Sequence, residues 1–146
     1  MTAAAQLVEQ GVELYAKNLA FLAEEEKLTY ELKPRLATAN RVLLDLRTMV
    51  FRDYSDSAQA ASGVPTIVDA PYAGHTAMIA DYHAGQSLIE TLLANGLHRV
   101  FLTDWKSATE DMKDLEIDQY LAEINVCVDD LGGRVNLVGL CQGGWM

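Results

Sequence analysis

The stretch Gly139-Leu140-Cys141-Gln142-Gly143-Gly144 follows directly on the apolar run Val135 to Val138, and no other segment restricts the fold as strongly. Gly-x-Cys-x-Gly is the spacing of a nucleophile elbow, in which a strand turns sharply and holds one reactive side chain clear of the sheet. Glycines flank such a turn because it is strained and its neighbouring backbone passes too close for a Cβ. A thiol at the centre narrows the chemistry to acyl transfer or hydrolysis through a thioester. The plainer reading is a glycine-rich turn beside a small buried cysteine. Position favours the elbow, since a strand ends one residue before it in a chain that alternates strand and helix.

That alternation begins near Ser62-Gly63. Pro65 to Ala70 reads as a buried strand, with Thr66, Ile67 and Val68 favouring it. The loop Pro71-Tyr72-Ala73-Gly74-His75 follows, then a helical stretch that Asn95-Gly96 caps. His98 to Asp104 is a second strand carrying Val100, Phe101 and Leu102. The next helix sets Ile117, Tyr120, Leu121, Ile124, Val128 and Leu131 on one face and stops at Gly132-Gly133, before a third strand over Arg134 to Leu140. Strand, helix, strand, helix, strand implies parallel pairing with right-handed crossovers.

Ahead of this region, Ala3 to Glu31 places Leu7, Gly11, Leu14, Tyr15, Leu19 and Leu22 at helical spacing. Pro34 breaks that helix or opens the next. A second helix is expected from Arg35 to about Arg52, carrying Leu36, Val42, Leu43, Leu46, Met49 and Val50. The expected division is a helical segment over 1–62 and an α/β core over 63–146.

Composition sets limits on partners. A chain of 146 residues suits one domain. Its net charge of −10 argues against nucleic acid, which needs a basic patch. Met1 to Val12 has no basic start and is interrupted by Glu9, so it does not read as a signal peptide. No apolar run approaches the roughly 18 residues of a membrane span. Cys127 and Cys141 make no disulfide framework, and a useful free thiol at Cys141 points to a reducing cytoplasm. No His, Cys and carboxylate spacing fits a metal, and the expected chemistry calls for no cofactor.

In an elbow of this kind the N–H of Gln142 forms half of an oxyanion hole, and Tyr72 or Ala73 on the loop after the first strand supplies the other half. A following helix N-terminus would favour the thiolate. A thiol attacking an acyl-CoA exchanges one thioester for another at nearly equal energy, so the acyl-enzyme stays reactive toward a hydroxyl. Attack on an oxygen ester is more demanding. The chemistry tilts toward transfer from a thioester, with acyl-CoA as substrate.

On these residues, Pro65 to Met146 resembles the polyhydroxyalkanoate synthase and intracellular polyhydroxyalkanoate depolymerase group of α/β-hydrolases. Gly139 to Gly144 matches the synthases' Gly-x-Cys-x-Gly-Gly box, and Cys141-Gln142 matches the depolymerases' Cys-Gln pair. Ala70-Pro71-Tyr72-Ala73-Gly74-His75, Thr103-Asp104-Trp105 and Ile117-Asp118-Gln119-Tyr120 resemble three further patches, in the family's order. The branches divide: Gly143-Gly144 is synthase-like, and the loop leans toward depolymerase.

The resemblance implies the N-terminal half of an α/β-hydrolase parallel sheet, three strands preceded by two amphipathic helices, with the Pro65 strand between the other two. It implies a triad Asp and His beyond the elbow. His75, His83 and His98 all precede Cys141 and match neither. The chain is therefore expected to be an enzyme fragment, inactive alone, whose third strand leaves one edge unpaired.

Around the elbow, His75, Asp104 and Trp105 are candidate substrate contacts, each with a plainer role in loop structure or packing. Cys127 reads as a core residue and Trp145 as packing under the elbow. The expected function is polyhydroxyalkanoate synthase-like acyl transfer from a 3-hydroxyacyl-CoA to a polyester. The alternatives are a depolymerase or esterase of the same fold, and an inactive chain that binds a partner or granule through its amphipathic helices. The partners that fit are a small-molecule or polyester substrate, a second copy in a homodimer, or a granule surface.

Overall fold

The strands Thr66–Asp69 (β3) and Val100–Trp105 (β6) are buried at every residue, as strands covered on both faces require. The structure, a computed structural model, describes residues 3–29, 35–55, 63–72 and 76–146. Its main sheet also contains Arg41–Asp45 (β1), Met49–Asp53 (β2) and Asn136–Gly139 (β7). The order is β1-β2-β6-β3-β7. β3 pairs in parallel with both β6 and β7, while β2 pairs antiparallel with β1 and with β6. The protein is thus a mixed α/β structure, with the Pro65 strand between the other two parallel strands. β7 lies at the end of the order, with Leu137 exposed.

The helix expected from Arg35 to Arg52 is replaced by the β1–β2 hairpin, so one helix rather than two precedes the sheet. In β2, Met49, Phe51 and Asp53 are buried while Val50 and Arg52 are less so. This period of two was hidden because the apolar residues of two short strands, joined by a tight turn, also fit a 3.6 spacing. The turn closes with Leu46 N–H donating to the Met49 carbonyl at 2.9 Å. Glu123 holds it from afar, accepting from the Thr48 hydroxyl at 2.7 Å and the Thr48 N–H at 3.1 Å.

Chain contacts divide the molecule into two compact units, Met1–Pro34 and Arg35–Met146. The first contains the helix Ala3–Thr29 (α1), on which Leu7, Leu14, Tyr15, Leu19 and Leu22 are exposed along one face.

The second unit holds all the sheet. Its core joins Met49, Phe51, Ile67, Val68, Ile89, Leu102, Trp105, Ile124 and Cys127, with Phe51 and Phe101 stacked at 5.5 Å.

The helical stretch expected to end at Asn95-Gly96 does end there, as a short helix. A 3-10 turn at Ala77–Ile79 and a small hairpin, Asp81–His83 (β4) with Gln86–Ser87 (β5), precede the helix Leu88–Ala94 (α2). Asp81 anchors that hairpin. Its buried carboxylate accepts from Thr38 N–H, Thr38 Oγ1, Ser87 Oγ and Tyr54 OH, which draws the chain inward. Ser87 then caps α2 by accepting from the Glu90 N–H at 3.0 Å.

Ile117–Asp130 (α3) starts as a capping box, with the Glu116 N–H donating to Gln119 Oε1 at 2.7 Å. The helix buries Ile124 and Cys127. Gly132 and Gly133, both at positive φ, turn the chain from α3 toward β7.

Candidate functional site

β3, β6 and β7 run parallel, so Ala70, Trp105 and Leu140 emerge at one edge of the sheet. Asp69 faces Gly139 across the ladder, and its carbonyl accepts from the Leu140 N–H at 2.9 Å. The chain then turns at Cys141, whose φ of 55 makes it the only non-glycine at positive φ among the described residues. An L-residue held there costs on the order of 1–3 kcal/mol and persists only where its surroundings enforce it.

The surroundings are backbone. A Cβ on Gly143 would strike the Asp69 carbonyl, 2.7 Å from its carbon. A Cβ on Gly139 would lie 2.6 Å from the Gly143 carbonyl oxygen. Gly144 differs, since a Cβ there meets nothing closer than 3.5 Å, an ordinary contact. Gly139 and Gly143 are therefore required by space, and Gly144 is not.

After the turn, Cys141–Gly144 forms a 3-10 turn rather than an α-helix. Gly143 N–H donates to the Leu140 carbonyl at 3.1 Å, and Trp145 N–H to the Gln142 carbonyl at 3.2 Å. Cys141 is exposed, and no side chain of the described residues hydrogen-bonds its sulfur. A thiol so placed is open to a carbonyl carbon arriving from solvent.

The loop after β3 begins beside the elbow. The Tyr72 ring lies 6.0 Å from that of Trp145, edge-on at 81°, and 5.8 Å from that of Tyr120. Tyr120 in turn sits 5.5 Å from Trp105. The structure thus brings Tyr72, Trp105 and the elbow into one neighbourhood. Trp145 is itself exposed at 66% rather than packed beneath the elbow. Ala73, Gly74 and His75 lie outside the described residues.

Asp104 and Trp105 are buried and engaged. Asp104 Oδ2 accepts from Arg52 Nε at 2.6 Å. Its Oδ1 accepts from the Ala77 N–H at 2.9 Å and the Thr76 hydroxyl at 3.1 Å. Trp105 Nε1 donates to the Ala70 carbonyl at 2.9 Å.

Sequence reasoning passed over Asp69, the one charge inside the apolar Pro65 to Ala70 run. It is fully buried. Its Oδ1 accepts from the Thr103 hydroxyl at 2.6 Å, and that hydroxyl accepts from the Ala70 N–H at 3.0 Å. Burial pushes its carboxyl above the ordinary value, and the Thr103 hydroxyl partly offsets this.

The other histidines stand elsewhere. His98 precedes β6 and so lies toward the opposite edge of the sheet from Cys141. His83 bonds the neighbouring Ala84 carbonyl through Nδ1 at 2.8 Å. A cleft of about 280 Å³ lined by Asn40, Arg41, Asp53 and Ser55 opens beside β1 and β2, at the far end of the strand order from β7. Arg41 there is already paired with Asp53 at 2.9 Å through Nε. Among the described residues no cluster of three or more His, Cys, Asp or Glu could hold a metal, and no helix is long and apolar enough to cross a membrane.

No protein-family model matches this chain, and no curated protein matches it.

Proposed function

We propose that Cys141 is the acyl-accepting nucleophile of an α/β-hydrolase-type acyl-transfer centre, of the polyhydroxyalkanoate synthase kind. The observation that carries this reading is the backbone at Cys141. A non-glycine residue is held at φ 55 beyond a parallel strand, between two glycines whose positions admit no Cβ. Strain enforced by close packing is characteristic of a site that must present one side chain in one direction.

In the reaction, the Cys141 thiolate attacks the carbonyl carbon of a 3-hydroxyacyl-CoA. A C–S bond forms, the carbonyl oxygen becomes an oxyanion, and the bond to the CoA sulfur then breaks. The CoA thiolate leaves and takes a proton from water. The N–H groups of Gln142 and of the Tyr72 region are the proposed oxyanion donors. Delivery of the acyl group to a hydroxyl extends a polyester, and delivery to water makes the same parts a hydrolase. The Ala-Pro-Tyr-Ala-Gly-His loop favours that second outcome.

The test is mass spectrometry of the chain after incubation with 3-hydroxybutyryl-CoA. An acyl mass on Cys141, absent from Cys127 and from Cys141→Ala, is expected. A chain that gains no acyl group, or gains it equally when denatured, overturns the reading.

A further inference from the structure

Ala70 lies one residue beyond β3, and side chains of β6 hold both of its backbone groups. Its N–H donates to Thr103 Oγ1 at 3.0 Å, and its carbonyl accepts from Trp105 Nε1 at 2.9 Å. The elbow rests on the same stretch of chain. Leu140 N–H donates to the Asp69 carbonyl at 2.9 Å, and Gly143 lies against the carbonyls of Asp69 and Ala70.

One peptide group, between Asp69 and Ala70, therefore joins β6 to the elbow. Its N–H is bound by Thr103 and its carbonyl by Leu140, and because the group is planar the two bonds turn together. Thr103 leaves that plane little choice. Its hydroxyl accepts the Ala70 N–H and gives its own proton to Asp69 Oδ1 at 2.6 Å, so the rotor is fixed at both ends. The arrangement is costly for packing alone. Asp69 is fully buried, and its Oδ2 has no hydrogen bond of its own, since Trp105 Nε1 is turned to the Ala70 carbonyl. What the pair secures is the direction of one peptide plane.

We infer that Thr103 is a positioning residue for Cys141: through the Asp69–Ala70 peptide it sets the surface against which the elbow turns, and so the direction in which the thiol is presented. The assignment rests on Cys141 being an acyl-accepting nucleophile. Thr103 itself is fully buried and makes no contact with substrate.

Two reactions of the same thiol separate positioning from general damage. Acylation by 3-hydroxybutyryl-CoA needs the sulfur aimed at a carbonyl carbon in a bound substrate, whereas iodoacetamide reaches an exposed thiol from any open side. Thr103→Val keeps the branched shape and removes the hydroxyl. It should slow acylation of Cys141 by about 10-fold or more, the scale of a small misplacement at a reacting centre, and leave alkylation within about 2-fold of the parent. Thr103→Ser, which keeps both hydrogen bonds, should recover most of the acylation rate.

Acylation of Thr103→Val at the parental rate, in a parent chain that does acylate, overturns the assignment and leaves the nucleophile in place. Equal loss of acylation and alkylation also overturns it, as does a Thr103→Ser variant no faster than Thr103→Val, because the hydroxyl is then not the cause. If Thr103→Val fails to fold, seen as alkylation of Cys127, Asp69→Leu decides the outcome. That change fills a similar shape and removes the acceptor that fixes the hydroxyl, so it should slow acylation selectively, and a parental rate overturns the assignment. A parent chain that takes no acyl group removes the nucleophile reading and this assignment together.

Discussion

Cys127 and Cys141 are the chain's two thiols, and the fold treats them in opposite ways. Cys127 faces inward from α3, fully buried, with its S–H toward Met49 Sδ at 3.8 Å. Burial, and then the nearby Glu123, Asp130 and Asp69 carboxylates, push its thiol up to about 12. It is a small apolar side chain in all but name. Cys141 sits on a left-handed turn, exposed, beyond the sheet's edge. The difference comes from backbone rather than from neighbouring side chains. A helix face decides the first thiol, and two glycines packed against carbonyls decide the second.

The largest effect should come from the glycines that impose that turn. Gly143→Ala drives a methyl group into the Asp69 carbonyl, which cannot yield without parting β3 from β7. We expect a loss of about 3 kcal/mol or more in urea unfolding, beyond ordinary overpacking. The distinction between the thiols should vanish with it, both reacting with iodoacetamide. Gly144→Ala should cost no more than about 0.5 kcal/mol, because its Cβ enters open contact distance. Equal costs at the two positions would mean that the elbow is not held by backbone packing.

The same contrast explains what the sequence could convey. Gly139, Cys141 and Gly143 were legible because their spacing is local and each glycine answers a close approach. β3 and β6 were legible as apolar runs, and the start of α3 and its glycine stop also stood out. The hairpin was not. Its turn, Leu46-Arg47-Thr48, has no glycine, proline or asparagine, and is held by Glu123 from α3. The ion pair of Arg52 with Asp104 was hidden for the same reason, since Arg52 lies on a strand that reads as helix. Long-range pairing leaves no trace in a window of residues. The helix ending at Asn95 was legible, but the small hairpin before it was not, because Asp81 is held by Thr38 and Tyr54, which are likewise remote in sequence.

A smaller effect concerns pH. Above 9.0, the ordinary value for a thiol, the unfolded chain loses the Cys127 proton while the folded chain keeps it until about 12. The native state then binds more protons than the unfolded one, so stability falls as pH rises through that window. Tyr54 adds to the fall with the same sign, because burial and then the Asp81 carboxylate raise its phenol above 10.0. Urea midpoints measured at pH 8 and at pH 10.5 should therefore drop steeply in the parent and in Cys141→Ala. The drop should be shallower in Cys127→Ala. Parallel curves for all three would remove burial as the cause of the difference between the thiols.

The smallest effect is also the one with opposite signs at the two sites. Cys141→Gly relieves the left-handed backbone, while the added freedom of the unfolded chain takes part of that gain back. A net stabilisation of about 0.5–1 kcal/mol is expected, and Cys141→Ala, which keeps the Cβ, should show none of it. Cys127→Gly should instead lose about 2 kcal/mol, through a cavity in the core and a glycine within α3. If Cys141→Gly destabilises as Cys127→Gly does, the φ of 55 carries no strain. If it stabilises, the chain forgoes stability at the one position where a thiol stands clear of the sheet. A buried cysteine offers packing in return for its place, but an exposed one on a strained turn offers none. On that outcome the proposed role of Cys141 as a nucleophile accounts for a cysteine there.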